Sequence, residues 1–364
     1  AAAELGGLAA ASRQLGVSAP TATRAINALE HRIGTPLLVR TTGQLPDLHV
    51  ELATRILNEP LDLQGRVDTT AQSARFRATG RFAPDLVGLI GRQLKRDLRP
   101  YLSFRSAPDF DLDVEFKPGW KFALLAGRIS GGGVEAYKVA MDSFAGHITF
   151  DGRRFRATDT VARIGSNFAR GSYEQDFTTR EFRFLLAGRL DPPAISGWFR
   201  EWWSKFWQEF DFAVAAPEAD VDVRGYWGRG PETTVFVFAD CVQPVIRGVQ
   251  LDHAIARLFI RPYFYDAIEV FATHGGGAAR GSFTRRTAPV GFALETMIFD
   301  FDSTLELPVA AGLVGPELTA MLQPFVFSAP LSVRARGHID GPAAPKGVHR
   351  EIHVTGRGTG TFTI

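Results

Sequence analysis

The sequence predicts a mixed chain: a small α-helical element closed by a strand, then a large, mostly antiparallel β region, elongated and groove-like, with short amphipathic helices. Three observations predict it. Residues 8–40 carry helix formers, a Gly break and capping residues at fixed spacing. From about residue 49 apolar and polar residues alternate with the period of a half-buried strand. Short landmarks then recur at steps of roughly 110 residues, so the β region is a repeat.

The first element is built from local signals. Leu8 to Leu15 is rich in Ala and Leu, which favour helix, and Gly16 suits the left-handed position that ends one. Ser18 can cap the next helix, and Pro20 sits in its first turn, where a missing N–H costs little. Ala22, Ala25, Ile26, Leu29 and Ile33 form one apolar stripe, with Thr21, Arg24, Ala28 and His31 opposite. Gly34 ends the helix, and Pro36 to Thr42 reads as a strand carrying Arg40. Two helices across a tight Gly turn, followed by a strand, describe a helix-turn-helix with a wing. The second helix of such a motif enters the major groove of double-stranded DNA by its N-terminal end. Ser18 and Pro20 set that end, Thr21, Thr23 and Arg24 are placed to reach bases or phosphates, and Arg40 would meet a phosphate from the wing. A helical hairpin packed against another part of the protein is the alternative.

The positions Ala10, Ala11, Leu15, Val17, Ser18, Pro20, Leu29, Glu30, Gly34, Leu37 and Arg40 carry a resemblance to the DNA-binding domain of LysR-type transcriptional regulators, over about residues 4–45. The resemblance implies sequence-selective DNA binding as a dimer or tetramer, with an effector domain downstream. Ala19 stands where the family usually has Gln. The run His49 to Asn58 reads as a weak helical pattern where the family has a long dimerising helix. Residues 1–48 carry Arg13, Arg24, Arg32 and Arg40 against Glu4, Glu30 and Asp47, so little charge is free to displace counterions from phosphates, and weak DNA binding is expected of the element alone.

Residues 49–364 form the second expected domain. Alternation is plain in Phe110 to Phe116, Glu181 to Leu185, Asp220 to Arg224 and Leu331 to Arg336. Asp151-Gly152, Gly131 to Gly133 and Gly275 to Gly277 read as turns. Ala-Pro precedes an alternating strand at Ala107, Ala216 and Ala329, and Ala-Arg-Gly-Ser occurs at Ala169 and Ala279. Each copy adds a strand leading into Pro and a short amphipathic segment, at Gly80 to Ile90, Gly188 to Trp198 and Gly312 to Leu322. This texture, with Phe150-Asp-Gly-Arg-Arg-Phe155 and Leu331 to Gly337, resembles the AsmA-like envelope proteins, relatives of TamB. The resemblance implies a long β-groove with an apolar floor that handles phospholipid chains in the periplasm, beside the inner membrane.

Trp198, Phe199, Trp202, Trp203, Phe206, Trp207 and Phe210 fall on one face of a single expected helix. The first six are the candidate contacts to lipid or a membrane surface, and packing of the rings on the sheet as core is the alternative.

Composition excludes several classes. The formal charge is +2, so no polyanionic or polycationic partner is implied by charge alone. A single cysteine, Cys241, excludes an internal disulfide and a cysteine-cluster metal site. No apolar run approaches the roughly 18 residues of a spanning helix. Met297 to Thr304 looks like the first motif of haloacid-dehalogenase-type phosphatases, with Asp300 as nucleophile and Asp302 as acid/base, but alternation alone explains the run. His349 and His353 share a strand face without the spacing of co-ligands, Asp109, Asp111 and Asp113 read as a solvated acidic row, and Gly225 to Gly230 has no helix to offer a phosphate. No catalytic residue, metal or cofactor is expected, and the chain is expected not to be an enzyme.

A DNA reader works in the cytoplasm and an AsmA-like groove in the periplasm. The chain is therefore expected to be chimeric or fragmentary, joined between Thr42 and Pro60, with a homodimer implied by the regulator reading. The alternative is an envelope phospholipid-transport or outer-membrane-biogenesis protein whose helix-turn-helix is non-functional.

Overall fold

In the computed structural model the structure describes residues 38–42, 46–93, 97–189, 191–198, 202–315, 318–320 and 330–357. The chain divides into two compact units, residues 1–165 with 172–178, and residues 166–171 with 179–364. Strand β10, Asn167–Asp176, is divided between them.

The first unit is an antiparallel sheet. Its strands are β1 (Leu38–Thr42), β2 (Asp47–Ile56), β3 (Glu59–Asp68), β4 (Ser73–Arg81), β5 (Leu102–Phe104), β6 (Asp109–Lys117), β7 (Lys121–Ala136), β8 (Val139–Phe150) and β9 (Arg154–Ile164). Each pairs with the next, except that β4 pairs directly with β6 and the short β5 lies on the far end of β7. A helix, α1 (Leu86–Gln93), fills the connection between β4 and β6. Ala83 and Val87 are buried there.

The second unit repeats the plan. Its long strands are β11 (Glu181–Arg189), β13 (Glu218–Tyr226), β14 (Thr234–Val242), β17 (His253–Arg261), β18 (Phe264–His274), β19 (Gly277–Thr287), β20 (Leu294–Ser303), β21 (Ser332–Asp340) and β22 (His349–Arg357), paired in that order and all antiparallel. Between β11 and β13 lie α2 (Pro192–Ile195), a 3-10 turn (Ser196–Trp198) and α3 (Trp202–Trp207). Between β20 and β21 lies α4 (Leu307–Val314). The strands β12 (Phe210–Asp211), β15 (Val245–Ile246) and β16 (Val249–Gln250) make a separate small sheet.

The repeat has a structural meaning. In each copy the helical insert joins two strands that are themselves neighbours: β4 with β6, β11 with β13, and β20 with β21. The landmark Pro108, Pro217 and Pro330 each stand just before the returning strand. Proline lacks the N–H that a ladder needs, so it marks where pairing begins.

Several expectations are corrected. His49 to Asn58 is not helical: it is β2 with its closing turn, because Leu48, Val50, Leu52, Thr54 and Ile56 alternate with exposed neighbours at the strand period. Gly131 to Gly133 is not a turn but lies inside β7, where Pro108 crowds the missing Cβ of Gly131. Gly312 to Val314, expected as a strand leading into Pro316, instead ends a helix that starts at Leu307, because Pro308 can occupy a first helical turn, and part of the expected segment after Pro316 lies outside the described residues. The expected single aromatic helix is broken. Trp198 belongs to the 3-10 turn, α3 covers Trp202–Trp207, and Phe210 is already in β12.

Aromatic rings lie over glycines on adjacent strands. Gly65 faces Phe76, Gly281 faces Phe301, and Gly337 faces Phe299. A Cβ on Gly281 would fall 2.5 Å from Cδ1 of Phe301 and would also meet the Asp300 carbonyl oxygen. Such pairing covers backbone that glycine leaves bare. We predict that Gly281→Val lowers the unfolding free energy by about 2 kcal/mol in urea denaturation. Gly356→Ala, where an added Cβ meets nothing within 4 Å, changes it by less than about 0.5 kcal/mol.

Candidate functional site

The antiparallel register sorts side chains by type. In the second unit one face carries Phe182, Phe184 and Leu186 of β11, Val221 and Val223 of β13, and Val235 and Val237 of β14. It continues through Leu258 and Ile260 of β17, Ala267 of β18, Phe283 of β19, Phe299 and Phe301 of β20 and Ala335 of β21. We call this face the floor. In the first unit Val50, Leu63, Phe76, Leu112, Val114, Leu125, Ile148 and Phe155 occupy the equivalent face, and all are half-buried. A rim of rings, Phe116, Phe122, Phe150 and Phe177, runs along one end of that floor at centroid spacings of 6.0, 5.6 and 5.8 Å.

The reverse face carries paired charges, interspersed in the second unit with the exposed Leu185, Phe236, Phe238 and Ile298. Arg77 grips Asp111 with two hydrogen bonds of 2.8 and 2.6 Å, and Arg81 and Arg75 oppose Asp109 and Glu115. Arg183 and Arg224 both bind Asp222, Glu269 sits between Arg257 and Arg280, and Arg334 lies 3.0 Å from Asp300. Burial pushes the Asp222 carboxyl up, but hydrogen bonds from the two guanidiniums outweigh it and hold the group at about 2. The acidic row of β6 is thus an arginine–aspartate ladder. Asp300 and Asp302 sit on the reverse face of β20, between antiparallel neighbours, with Phe299 and Phe301 on the floor. His349 and His353 are exposed on β22.

Part of the floor in the second unit is covered. Ala219, Ala239, Cys241, Ala254 and Ala272 make a belt of small residues, and Phe212, Ile246, Val249, Leu251 and Leu313 pack onto it from the small sheet and α4. Trp202, Trp203 and Phe206 of α3 are buried; Phe206 contacts Tyr265 on the floor at 5.3 Å, and Trp198 stacks on Phe184 at 5.4 Å. These rings face protein, as the packing alternative describes. Trp207 is half-buried, and Phe199 lies outside the described residues. Further along, Phe283, Met297, Phe299, Phe301 and Ile339 are only half-buried, and Ile352 and Val354 are exposed.

Two concavities accompany the sheets. In the first unit a cavity of about 470 Å³ is lined by Leu57, Val87, Phe104, Arg92 and Arg99 among others, with Arg99 paired to Asp97 at 2.9 Å. In the second, a shallow groove of about 520 Å³ on the reverse face includes Leu185, Phe236, Phe238 and Ile268 beside Asp222 and Arg257. Ile268 stands out because a bulge in β18 turns it outward.

Of the candidate DNA contacts, Ser18, Pro20, Thr21, Thr23 and Arg24 lie outside the described residues. Arg40 is in β1, opposite Glu51 of β2. The sequence reading missed the cluster of Glu209, Arg247, Tyr265 and Arg285. Its members are far apart in the chain, and the one legible sign was Arg285 at a position where the alternation of β19 calls for an apolar residue.

Compared with known proteins, the first part of the chain is similar to one family: the bacterial regulatory helix-turn-helix proteins of the lysR family, whose family model matches residues 1–52. No curated protein and no solved structure matches the chain. Among the described residues no helix is long and apolar enough to cross a membrane.

Two predictions follow from the buried and paired groups. Asp222 has a depressed folded-state pKa, so its contribution is present above its ordinary value of 3.8 and is lost as pH falls toward about 2. Asp222→Asn therefore costs about 1 kcal/mol near pH 7, after allowance for solvent screening, and the difference closes between about pH 4 and pH 2 in acid-titrated urea melts. Burial, followed by the Asp240 charge, pushes the Cys241 thiol up to about 12. Native protein leaves a chromogenic disulfide reagent unreacted near pH 8, and unfolded protein releases one equivalent of chromophore.

Proposed function

We propose that the β region is a non-enzymatic lipid-handling surface of AsmA-like type, on which acyl chains lie along the floor. The observation that carries this reading is the half-buried apolar floor in each unit, which runs on through apolar residues from Val50 of β2 to Phe155 of β9. An apolar sheet face left partly open marks a place where a partner or ligand can bind. A sheet whose floor is only partly roofed leaves room for a flexible, apolar occupant, and acyl chains adapt to such a surface without needing specific polar partners. In this reading the aromatic residues of α3 roof the floor, and the half-buried face of β2 to β9 and of β19 to β21 receives lipid.

The N-terminal element supports a second activity on the same chain. Its match to lysR-family helix-turn-helix proteins favours double-stranded DNA as partner, with Ser18, Pro20, Thr21, Thr23 and Arg24 at the groove-facing helix and Arg40 on the wing. The two activities belong to different compartments in bacteria, and periplasmic placement is part of the lipid proposal only.

The lipid reading is tested on the full chain. Phospholipid is expected to co-purify and to be detected by native mass spectrometry. Leu112→Glu, a charge on the open floor of the first unit, is expected to reduce bound lipid by about tenfold with the circular dichroism spectrum unchanged. Absence of lipid from the purified protein, with no uptake from fluorescent phospholipid vesicles, would overturn it. The DNA reading predicts a gel shift that weakens steeply with salt and with Arg24→Ala.

A further inference from the structure

On the floor of the second unit, β19 breaks the apolar pattern at Arg285, which lies between Tyr265 of β18 and Met297 of β20. Its Nη1 donates to Glu209 Oε1 at 3.1 Å and to the Tyr265 hydroxyl at 3.4 Å. Glu209, just beyond α3, also accepts two hydrogen bonds from Arg247, at 3.0 and 2.8 Å. Arg247 uses its remaining nitrogen on the carbonyls of Leu313 and Val314 at the end of α4. Arg247 is therefore saturated and structural.

Among the described residues Arg285 binds through Nη1 alone. Its Nε and Nη2 have no partner among the described residues, although its side chain is only 22% exposed. Among the described residues two guanidiniums share one carboxylate, which leaves the cluster one net positive charge. Burial pushes the Tyr265 phenol up, so its hydroxyl keeps its proton as a further donor. The cluster also stands at a border. On one side Ile260 and Ala267 are wholly buried beneath the roof; on the other Phe283, Met297 and Phe299 are half-buried and lead toward the exposed Ile352 and Val354.

From this placement we propose that Arg285 is an anion seat on the floor, which takes the carboxylate or phosphate head of an amphiphile whose chain lies over Phe283, Met297 and Phe299. The charge argument selects the occupant. A lone apolar chain would leave the free guanidinium edge desolvated without an acceptor, whereas an oxyanion matches its two parallel N–H groups. A zwitterionic or neutral head would gain less from a cluster with a single excess charge. The inference rests on the lipid-handling reading and adds head-group selection to it.

The test compares ligands of one chain length on the full protein. Oleate is expected to bind about tenfold more tightly than oleyl alcohol, by displacement of a fluorescent fatty acid. Phosphatidylglycerol vesicles are expected to deliver more lipid than phosphatidylcholine vesicles. Arg285→Gln is expected to abolish both preferences, and Arg285→Lys to retain part of them. Equal binding of oleate and oleyl alcohol by the unaltered protein would overturn the seat while the lipid reading stands. Binding of neither would overturn both. Inorganic phosphate competing as strongly as oleate would show a free-anion site and overturn the assignment to an amphiphile.

Discussion

One constraint governs this molecule: strand register. Side chains on a strand alternate between faces, so a slip of one residue would exchange the apolar floor for the charged reverse. The register is therefore pinned from both sides. On the reverse face Arg77 opposite Asp113 and beside Asp111, Arg183 beside Asp222, and Arg334 opposite Asp302 and beside Asp300 would each lose a partner on slippage. Exposed ion pairs of this kind add little net stability. Their value lies in making alternative pairings worse. On the floor, a ring seated over a glycine does the same sterically, because the neighbouring positions carry a Cβ.

Apart from Arg285 and Tyr265 the floor of the second unit is apolar over most of its extent, but its residues differ in size, and that difference sets where a roof forms. Between β13 and β18 the row Ala219, Ala239, Ala254 and Ala272 lets Phe212, Val249 and Leu251 approach the backbone closely. Close approach yields full burial, as Leu251 shows. Beyond β18 the floor residues become Phe283, Phe299 and Phe301, which fill their own space and stay half-open. A sheet with small residues in one part and rings in another thus divides itself into a structural core and a surface without any change of strand geometry. The unsaturated arginine lies at that division. In the proposed reading, that single charge at the border of an apolar surface is what would distinguish one end of a ligand from the other.

Much of this was legible in the sequence. Alternation located the strands at Phe110, Glu181, Asp220 and Leu331, and the direction of Asp300 and Asp302 relative to Phe299 and Phe301 followed from period two. The recurring Ala-Pro landmarks marked the strands that return after each insert. Other features were not legible for identifiable reasons. In β2, residues 48–56 satisfy a strand template, but Leu, Glu, Ala and Arg are also good helix formers, and only pairing with β3 decides between them. Gly131 to Gly133 resembles a turn until a neighbouring proline occupies the space a side chain would need. The aromatic segment looked like one amphipathic face because rings at helical spacing do not reveal where the helix ends. The Glu209, Arg247 and Arg285 cluster joins residues 38 and 76 positions apart, and no local pattern encodes such a meeting.

The same pairing bears on how the N-terminal element is attached. The lysR-family match ends at residue 52, yet residue 52 lies in the middle of β2, whose ten residues all pair with β3. β1, wholly within the matched segment, hydrogen-bonds to β2 from Leu38 to Thr42. The strands that would form a wing are therefore also the first strands of the sheet, and Leu48, Val50 and Leu52 contribute to its floor. A flexible linker would allow the two parts to be exchanged freely. A shared hairpin does not: β1, with Arg40 at the register position of Glu51, pairs with β2 in the same ladder that joins β2 to β3. Any change in the sheet edge at β2 is thus felt in the strand that carries Arg40, which ties the two readings of this chain through backbone hydrogen bonds rather than through a hinge.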